Sequence, residues 1–151
     1  MSLAMTRLAA ASDGVSPGGH IAYAVGGAIG EGPTFRQSLD IGFDIAFTHS
    51  SGGLYAPDKG WMIGASVITG FGTYPTYVTL EAGQIVQSFM GTNFTAGFAC
   101  RVAPDLAFGL EGKAEVSFII FSLGARLLAL PIAVSGSAEI QLSLLLGFQY
   151  F

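Results

Sequence analysis

Residues 36–48 read RQSLDIGFDIAFT, and the side chains of this stretch separate by parity. From Leu39 onward, the odd positions carry only bulky apolar side chains, and the even positions carry small, polar and acidic ones. This period of two is that of a β-strand, because helical spacing would mix the acidic and the aromatic side chains on one face. The stretch is thirteen residues long, beyond the roughly five or six of a soluble strand. A tilted strand of about nine to eleven residues crosses a bilayer, so the stretch predicts a membrane-spanning strand.

The composition points the same way. Hydrophobic residues make up 51% of the 151-residue chain and charged residues only 11%, whereas a soluble domain carries about 25% charged residues. No apolar run reaches the length of about eighteen residues that a spanning helix needs, and the longest, at residues 127–134, is interrupted by Pro131. High hydropathy without a long apolar run is typical of strands that alternate between lipid and a polar interior.

Several function classes are disfavoured by simple counts. The net charge is −4 and the six Lys and Arg residues form no cluster, so we expect no nucleic-acid partner. Cys100 is the single cysteine, so neither a disulfide nor a zinc site is expected. His20 has no ligand-type neighbour in sequence, which favours a solvated position at the start of a strand. We expect no cofactor.

The pattern along the chain predicts one all-β domain. Residues 1–19 have one Arg and a short Leu/Ala run, which is too little for a complete secretory signal. We predict that they form a flexible lead-in, followed by a barrel domain over residues 20–151. We predict eight antiparallel strands in up-and-down order, the fourth bulged at Gly83, and Pro131 either ending the seventh strand or marking an edge. The predicted strands cover residues 20–31, 36–48, 61–73, 76–90, 93–102, 106–120, 122–130 and 132–150.

Alternation alone does not say which face meets water. The polar face is rich in Gly, Ala and Ser, which suits the narrow interior of an eight-stranded transmembrane barrel. Four cations and five anions on that face would balance as an enclosed network. The predicted interior network consists of Arg36, Asp40, Asp44, Arg101, Glu111, Lys113, Glu115, Arg126 and Glu139. Aromatic residues near strand ends are predicted to form interfacial girdles, namely Phe35, Phe47, Trp61, Tyr74, Tyr77, Phe148 and Tyr150.

With these features, residues 20–151 resemble the small eight-stranded outer-membrane barrels, the family typified by the transmembrane domain of outer membrane protein A. The carboxy-terminal IQLSLLLGFQYF carries part of the resemblance, because family members end on an aromatic that the assembly machinery recognises. Phe151 is terminal here, but the alternating apolar set before it is out of phase by one position. The resemblance implies the outer membrane of a Gram-negative bacterium, with membrane lipids and the outer-membrane assembly machinery as partners. It implies no particular protein partner.

Three functions are compatible with the sequence. The first is a non-enzymatic outer-membrane β-barrel with a side-chain-filled polar interior, in a structural, anchoring or narrow-channel role. The second is a soluble β-barrel that binds an apolar ligand, with the bulky face turned inward. The paired carboxylates do not add acid/base chemistry, since Asp40 and Asp44 lie roughly 13 Å apart along a strand.

The third function is a membrane-embedded lipid acyl hydrolase. His49, Ser51 and Asp58 could act as base, nucleophile and orienting acid. The segment HSSGGL is similar to the His-x-Ser motif of the lipid A deacylase barrels, although that family carries the motif near the carboxy end. A polar turn is the competing interpretation of these residues, and we expect no catalytic site.

Overall fold

The computed structural model describes residues 14–29, 34–49, 57–71, 75–88, 90–134 and 138–150. Eight antiparallel strands follow one another in chain order and close into a barrel, which confirms the predicted fold class. Within the described ranges, no helix is long and apolar enough to cross a membrane. The strands are β1 (Gly14–Ile29), β2 (Thr34–His49), β3 (Asp58–Gly70), β4 (Thr76–Gln87), β5 (Met90–Ala103), β6 (Ala107–Phe118), β7 (Phe121–Ala133) and β8 (Glu139–Tyr150).

The register between strands fixes the shape of the barrel. A path that starts at Gly19 and steps through the paired residues of each strand returns to β1 at Ile29, ten residues further along. Eight strands with this stagger are strongly tilted and enclose an interior just wide enough for side chains to fill. The start of β1 and the end of β8 lie at one end of the barrel, called the termini end here, and the opposite end is called the far end.

Side-chain exposure confirms the predicted sidedness. Phe43 is 57% exposed and Leu142 61% exposed on the outer surface, whereas Asp44 is 0% and Lys113 3% exposed in the interior. An apolar outer surface over the whole barrel wall is a surface for lipid. The alternative of a soluble barrel with its bulky face inward is therefore wrong.

The first strand begins earlier than the pattern predicts. β1 starts at Gly14, so the prediction of a flexible lead-in is wrong for residues 14–19. Within the part of the chain that the structure describes, residues 14–18 pair only with β2, and the pairing with β8 begins at Gly19. Pro17 is tolerated in this segment because a strand with a partner on one side does not need every N–H group.

The predicted bulge in the fourth strand is also wrong. β4 alternates regularly past Gly83 and its register irregularity lies between Thr76 and Tyr77. Ile85 lies on the inner face at 3% exposure, packed with Ala46 and Met62. The bulge was predicted because every apolar residue of this strand was assigned to the outer face, whereas Ile85 is an apolar residue of the interior. Tyr77 is likewise inside and 2% exposed, which contradicts its predicted place in an outer girdle. The girdle residue Tyr74 lies outside the described residues.

The seventh strand continues through Pro131. Phe108 pairs with Ile132 and Leu110 with Ala129, so Pro131 lies in a bulge opposite Gly109. Its pairing with β8 has already stopped at Leu130, and a bulge without a second partner strand accommodates proline. The predicted strand over residues 132–150 therefore divides, because Ile132 belongs to β7 and β8 begins at Glu139.

Candidate functional site

The lumen of the barrel is the candidate functional site, and its polar side chains form three tiers along the barrel. The middle tier contains a histidine clip on β1 and β2. His20 pairs in register with Gly42, and Asp40 and Asp44 lie two residues to either side of that glycine. His20 Nε2 lies 3.4 Å from Asp40 Oδ1, and His20 Nδ1 lies 2.9 Å from Asp44 Oδ2. One imidazole therefore bridges two carboxylates that are too far apart to contact each other.

Gly42 is required for this clip. A Cβ atom at Gly42 would lie 2.3 Å from His20 Cε1 and 2.9 Å from Ser66 Cβ. The missing side chain leaves room for the ring over the backbone. His20 is 5% exposed, so the prediction of a solvated position is wrong. The sequence pattern of β1 alone does not show that its histidine faces a glycine between two aspartates.

Two cations complete the middle tier. Arg126 Nη1 donates to Asp40 Oδ2 at 2.7 Å, from β7 to β2, and Arg126 Nε lies 4.0 Å from Glu111. Lys113 Nζ donates to Glu81 at 2.5 Å. The remaining contacts of this tier are Lys113 Nζ with Glu115 at 3.7 Å and a hydrogen bond from the Thr95 hydroxyl to Glu81.

Glu81 is the buried carboxylate that sequence reasoning missed. It is 4% exposed and shares the inner parity of Tyr77 on β4. The regular alternation of β4 places Glu81 in the interior, but the bulge predicted at Gly83 left the faces of this strand unassigned. With Glu81, four buried or half-buried Lys and Arg side chains meet six carboxylates in the lumen, and His20 supplies a fifth cationic group when protonated.

The far tier converges on Glu139. Tyr77 Oη donates to Glu139 Oε1 at 2.7 Å, and Arg101 Nη1 donates to Oε2 at 2.8 Å. Arg36 Nη1 donates to the Tyr77 oxygen at 2.6 Å and also pairs with Glu139. Arg101 contacts Asp105 at 2.9 Å as well. Tyr77 and Glu139 lie on β4 and β8, which are opposite each other in the ring of eight strands.

The termini tier is made of neutral amides. Asn93 Nδ2 donates to Gln149 Oε1 at 3.1 Å and to Glu115 Oε2 at 3.3 Å. Gln87 and Ser117 lie beside them and line a small cavity of about 100 Å³. This tier joins β5 to β8 across the lumen.

The lumen retains polar groups that the described side chains do not satisfy. Asp44 Oδ1, Glu111 Oε2 and Arg126 Nη2 are buried and have no hydrogen-bond partner among the described residues. In the same part of the chain, no group of three or more His, Cys, Asp or Glu is arranged to hold a metal ion.

Two of the candidate hydrolase residues, His49 and Asp58, lie at the termini end. His49 is exposed on the outer parity of Phe47, whereas Asp58 shares the inner parity of Met62. Ser51 lies outside the described residues. His49 and Asp58 thus start from opposite faces of the barrel wall, and the strands do not place the acid to orient the imidazole. His49 does line a cavity of about 720 Å³ at the outer rim of the barrel.

Comparisons with known proteins find a likeness to solved structures. No family model matches the chain, and no curated protein matches it. Ail, the attachment invasion locus protein of Yersinia pestis, has a TM-score of 0.55 and 12% identity over 92% of this chain and 100% of its own. The same protein in complex with the heparin analogue sucrose octasulfate matches equally well.

The outer membrane enzyme PagL has a TM-score of 0.56 and 12% identity, over 85% of this chain and 97% of its own. One of these neighbours is an attachment protein and the other an enzyme, so the shared architecture does not decide between the two roles. The strand order, the sidedness and these likenesses agree on one conclusion: the chain has the fold of the small eight-stranded outer-membrane β-barrels.

Proposed function

We propose that this protein is a non-enzymatic barrel of a Gram-negative outer membrane, with a structural or anchoring role and an interior closed to solutes. The assembly machinery of that membrane would insert it, and membrane lipids would surround it. The supporting observation is the contact of side chains across the lumen in three tiers. Tyr77 meets Glu139 in the far tier, Arg126 meets Asp40 in the middle tier, and Asn93 meets Gln149 in the termini tier.

These contacts favour an anchor over a narrow channel. The Arg126 side chain is 0% and the Asp40 side chain 1% exposed, so a hydrated ion would have to separate a buried pair in order to pass. Breaking a buried pair costs about 3–5 kcal/mol, and two further tiers lie in series with it. Passage through the whole lumen would therefore have to separate ion pairs in the middle and far tiers and the Asn93–Gln149 hydrogen bond in the termini tier.

The test is electrical recording from the purified full-length protein in a planar lipid bilayer. We expect no current steps above the leak of the bare bilayer. Glu139→Ala removes the acceptor of the far tier and leaves Arg126 and Asp40 in place, so this variant should also remain closed. Steady single-channel steps from the unsubstituted protein would rule out the closed interior and leave the narrow-channel role.

Adhesion through sulfated sugars is not supported by the loops. The loops between the described strands cover two to eight residues each and contain no Lys or Arg. Binding of a polyanion such as the sucrose octasulfate held by Ail requires clustered cations. The loops of this chain offer none.

Lipid hydrolysis is the second candidate function, and one observation favours it. His49 lines the cavity at the outer rim, on the surface that faces lipid, and the enzyme PagL has the same fold. The test is release of fatty acid from lipid A or phospholipid in detergent micelles, comparing the unsubstituted protein with Ser51→Ala. Ser88→Ala, at another loop of the termini end, is the matched control. Activity lost in Ser51→Ala and kept in Ser88→Ala would establish hydrolysis, and absence of any release would remove it.

A further inference from the structure

Lys59 is unusual among the charged residues of this barrel. Its side chain is exposed and lies on the outer parity of β3, together with Trp61. Among the described residues of the eight strands, it is the one Asp, Glu, Lys or Arg on the outer face. A lysine on the lipid-facing surface costs about 2–4 kcal/mol at the bilayer midplane and close to nothing near the interface. The position of Lys59 at the start of β3 therefore places it at the headgroup level.

The surroundings of Lys59 form an amphipathic patch of two rows. We call it the Lys59 patch and define it by Phe47, His49, Lys59, Trp61, Gln84 and Val86. Lys59 is paired in register with His49 at the strand ends, and Trp61 is paired with Phe47 one outward position deeper. All six residues line the cavity of about 720 Å³ at the outer rim. The outermost row is thus His49, Lys59 and Val86, and the deeper row is Phe47, Trp61 and Gln84. The Lys59 ammonium lies beyond the two aromatic rings, as the charged headgroup of a lipid lies beyond its acyl chains.

We propose that the Lys59 patch binds an anionic glycerophospholipid from the leaflet at the termini end. The Lys59 ammonium would contact the phosphate, and an acyl chain would lie over Phe47 and Trp61. The Lys59 side chain is exposed on the outer surface, so a headgroup can reach its ammonium. The inference rests on residence in a membrane and not on the closed lumen.

The chemistry of the patch favours a lipid with a single phosphate. A lipid with several phosphates is held by several cations or by bidentate arginine forks. The Lys59 patch has one lysine and no arginine. A lysine near an anionic membrane surface contributes about 1 kcal/mol of attraction, which fits preference for a net anionic headgroup over a zwitterionic one.

The experiment is native mass spectrometry of the full-length protein in detergent with equal amounts of phosphatidylglycerol and phosphatidylcholine. We expect phosphatidylglycerol adducts to dominate for the unsubstituted protein. Lys59→Gln should lower the ratio of the two adducts about fivefold, and Lys59→Arg should preserve it. Trp61→Ala should reduce both adducts while leaving the ratio unchanged, because the indole contacts the acyl chain common to both lipids.

Thr69→Gln, on the outer face nearer the far end, is the matched control and should behave as the unsubstituted protein. An unchanged adduct ratio in Lys59→Gln, or an equal loss in Thr69→Gln, would overturn the proposal. Displacement of phosphatidylglycerol by an equimolar two-phosphate lipid A would assign the patch to that lipid instead. Equally effective displacement by inorganic phosphate would reduce the site to an anion contact without an acyl chain. Lys59 lies outside the lumen, so conductance recordings test the anchoring role separately.

Discussion

The middle and far tiers of the lumen both pair buried charges, but they do so in different ways. In the middle tier, Arg126 and Lys113 each lie near two carboxylates, deep in the barrel. In the far tier, three donors converge on Glu139, and the Arg36 side chain is 17% exposed. Depth should decide how much stability a substitution removes, since a stranded charge in the middle tier has no access to water. The number of donors that bind one carboxylate should decide how many contacts a substitution of that carboxylate removes.

The largest effect is expected for Arg126→Met. The substitution removes the guanidinium beside Asp40 and Glu111 and leaves Asp40 with His20 at 3.4 Å. Removing one partner of a buried ion pair costs about 3–5 kcal/mol. Urea unfolding in lipid vesicles, followed through the fluorescence of the single tryptophan, measures the change. Arg126→Lys keeps a charge near Asp40 and should lose less. Equal losses in both variants would show that packing and not charge holds the middle tier.

Glu139→Gln is expected to cost less, although it weakens more contacts. The amide weakens the hydrogen bonds from Tyr77, Arg36 and Arg101, and a hydrogen bond to a charged group contributes about 1.5–3 kcal/mol. Arg101 keeps Asp105 as a partner, which limits the loss. The same urea titration tests the ranking. A larger loss for Glu139→Gln than for Arg126→Met would invert the role assigned to depth.

The smallest pair of effects comes from two glycines with opposite surroundings. Gly42→Ala drives a methyl group into the His20 ring, and overpacking of this kind costs about 1–3 kcal/mol. Gly112→Ala has no atom within 4 Å of the new Cβ and should be almost neutral. The difference between the two unfolding free energies isolates the histidine clip. Similar values would mean that the ring moves aside without loss.

The sequence predicted the elements with clean alternation and failed where the interior contains apolar residues. On β2 every residue from Leu39 to Phe47 obeys a single rule of parity, which predicts the strand. Its sidedness was predicted from the small residues and balanced charges of the polar face, and not from the alternation itself. On β4 the buried Ile85 and Tyr77 broke that rule, which concealed Glu81 and misplaced the tyrosine. The pairing of His20 with Gly42 depends on register between two strands, and a pattern within one strand does not contain it. The hairpin after Pro131 was missed because a bulge carries the strand past the proline.

The seam between β1 and β8 has a consequence for biogenesis. Gly19 pairs with Tyr150, so the second edge of β1 is covered only after β8 has been synthesised. A chain that is truncated before β8 is complete therefore has a sheet with two unpaired edge strands, and such edges pair with other chains. Loss of β8 should consequently promote aggregation, even when the other seven strands form.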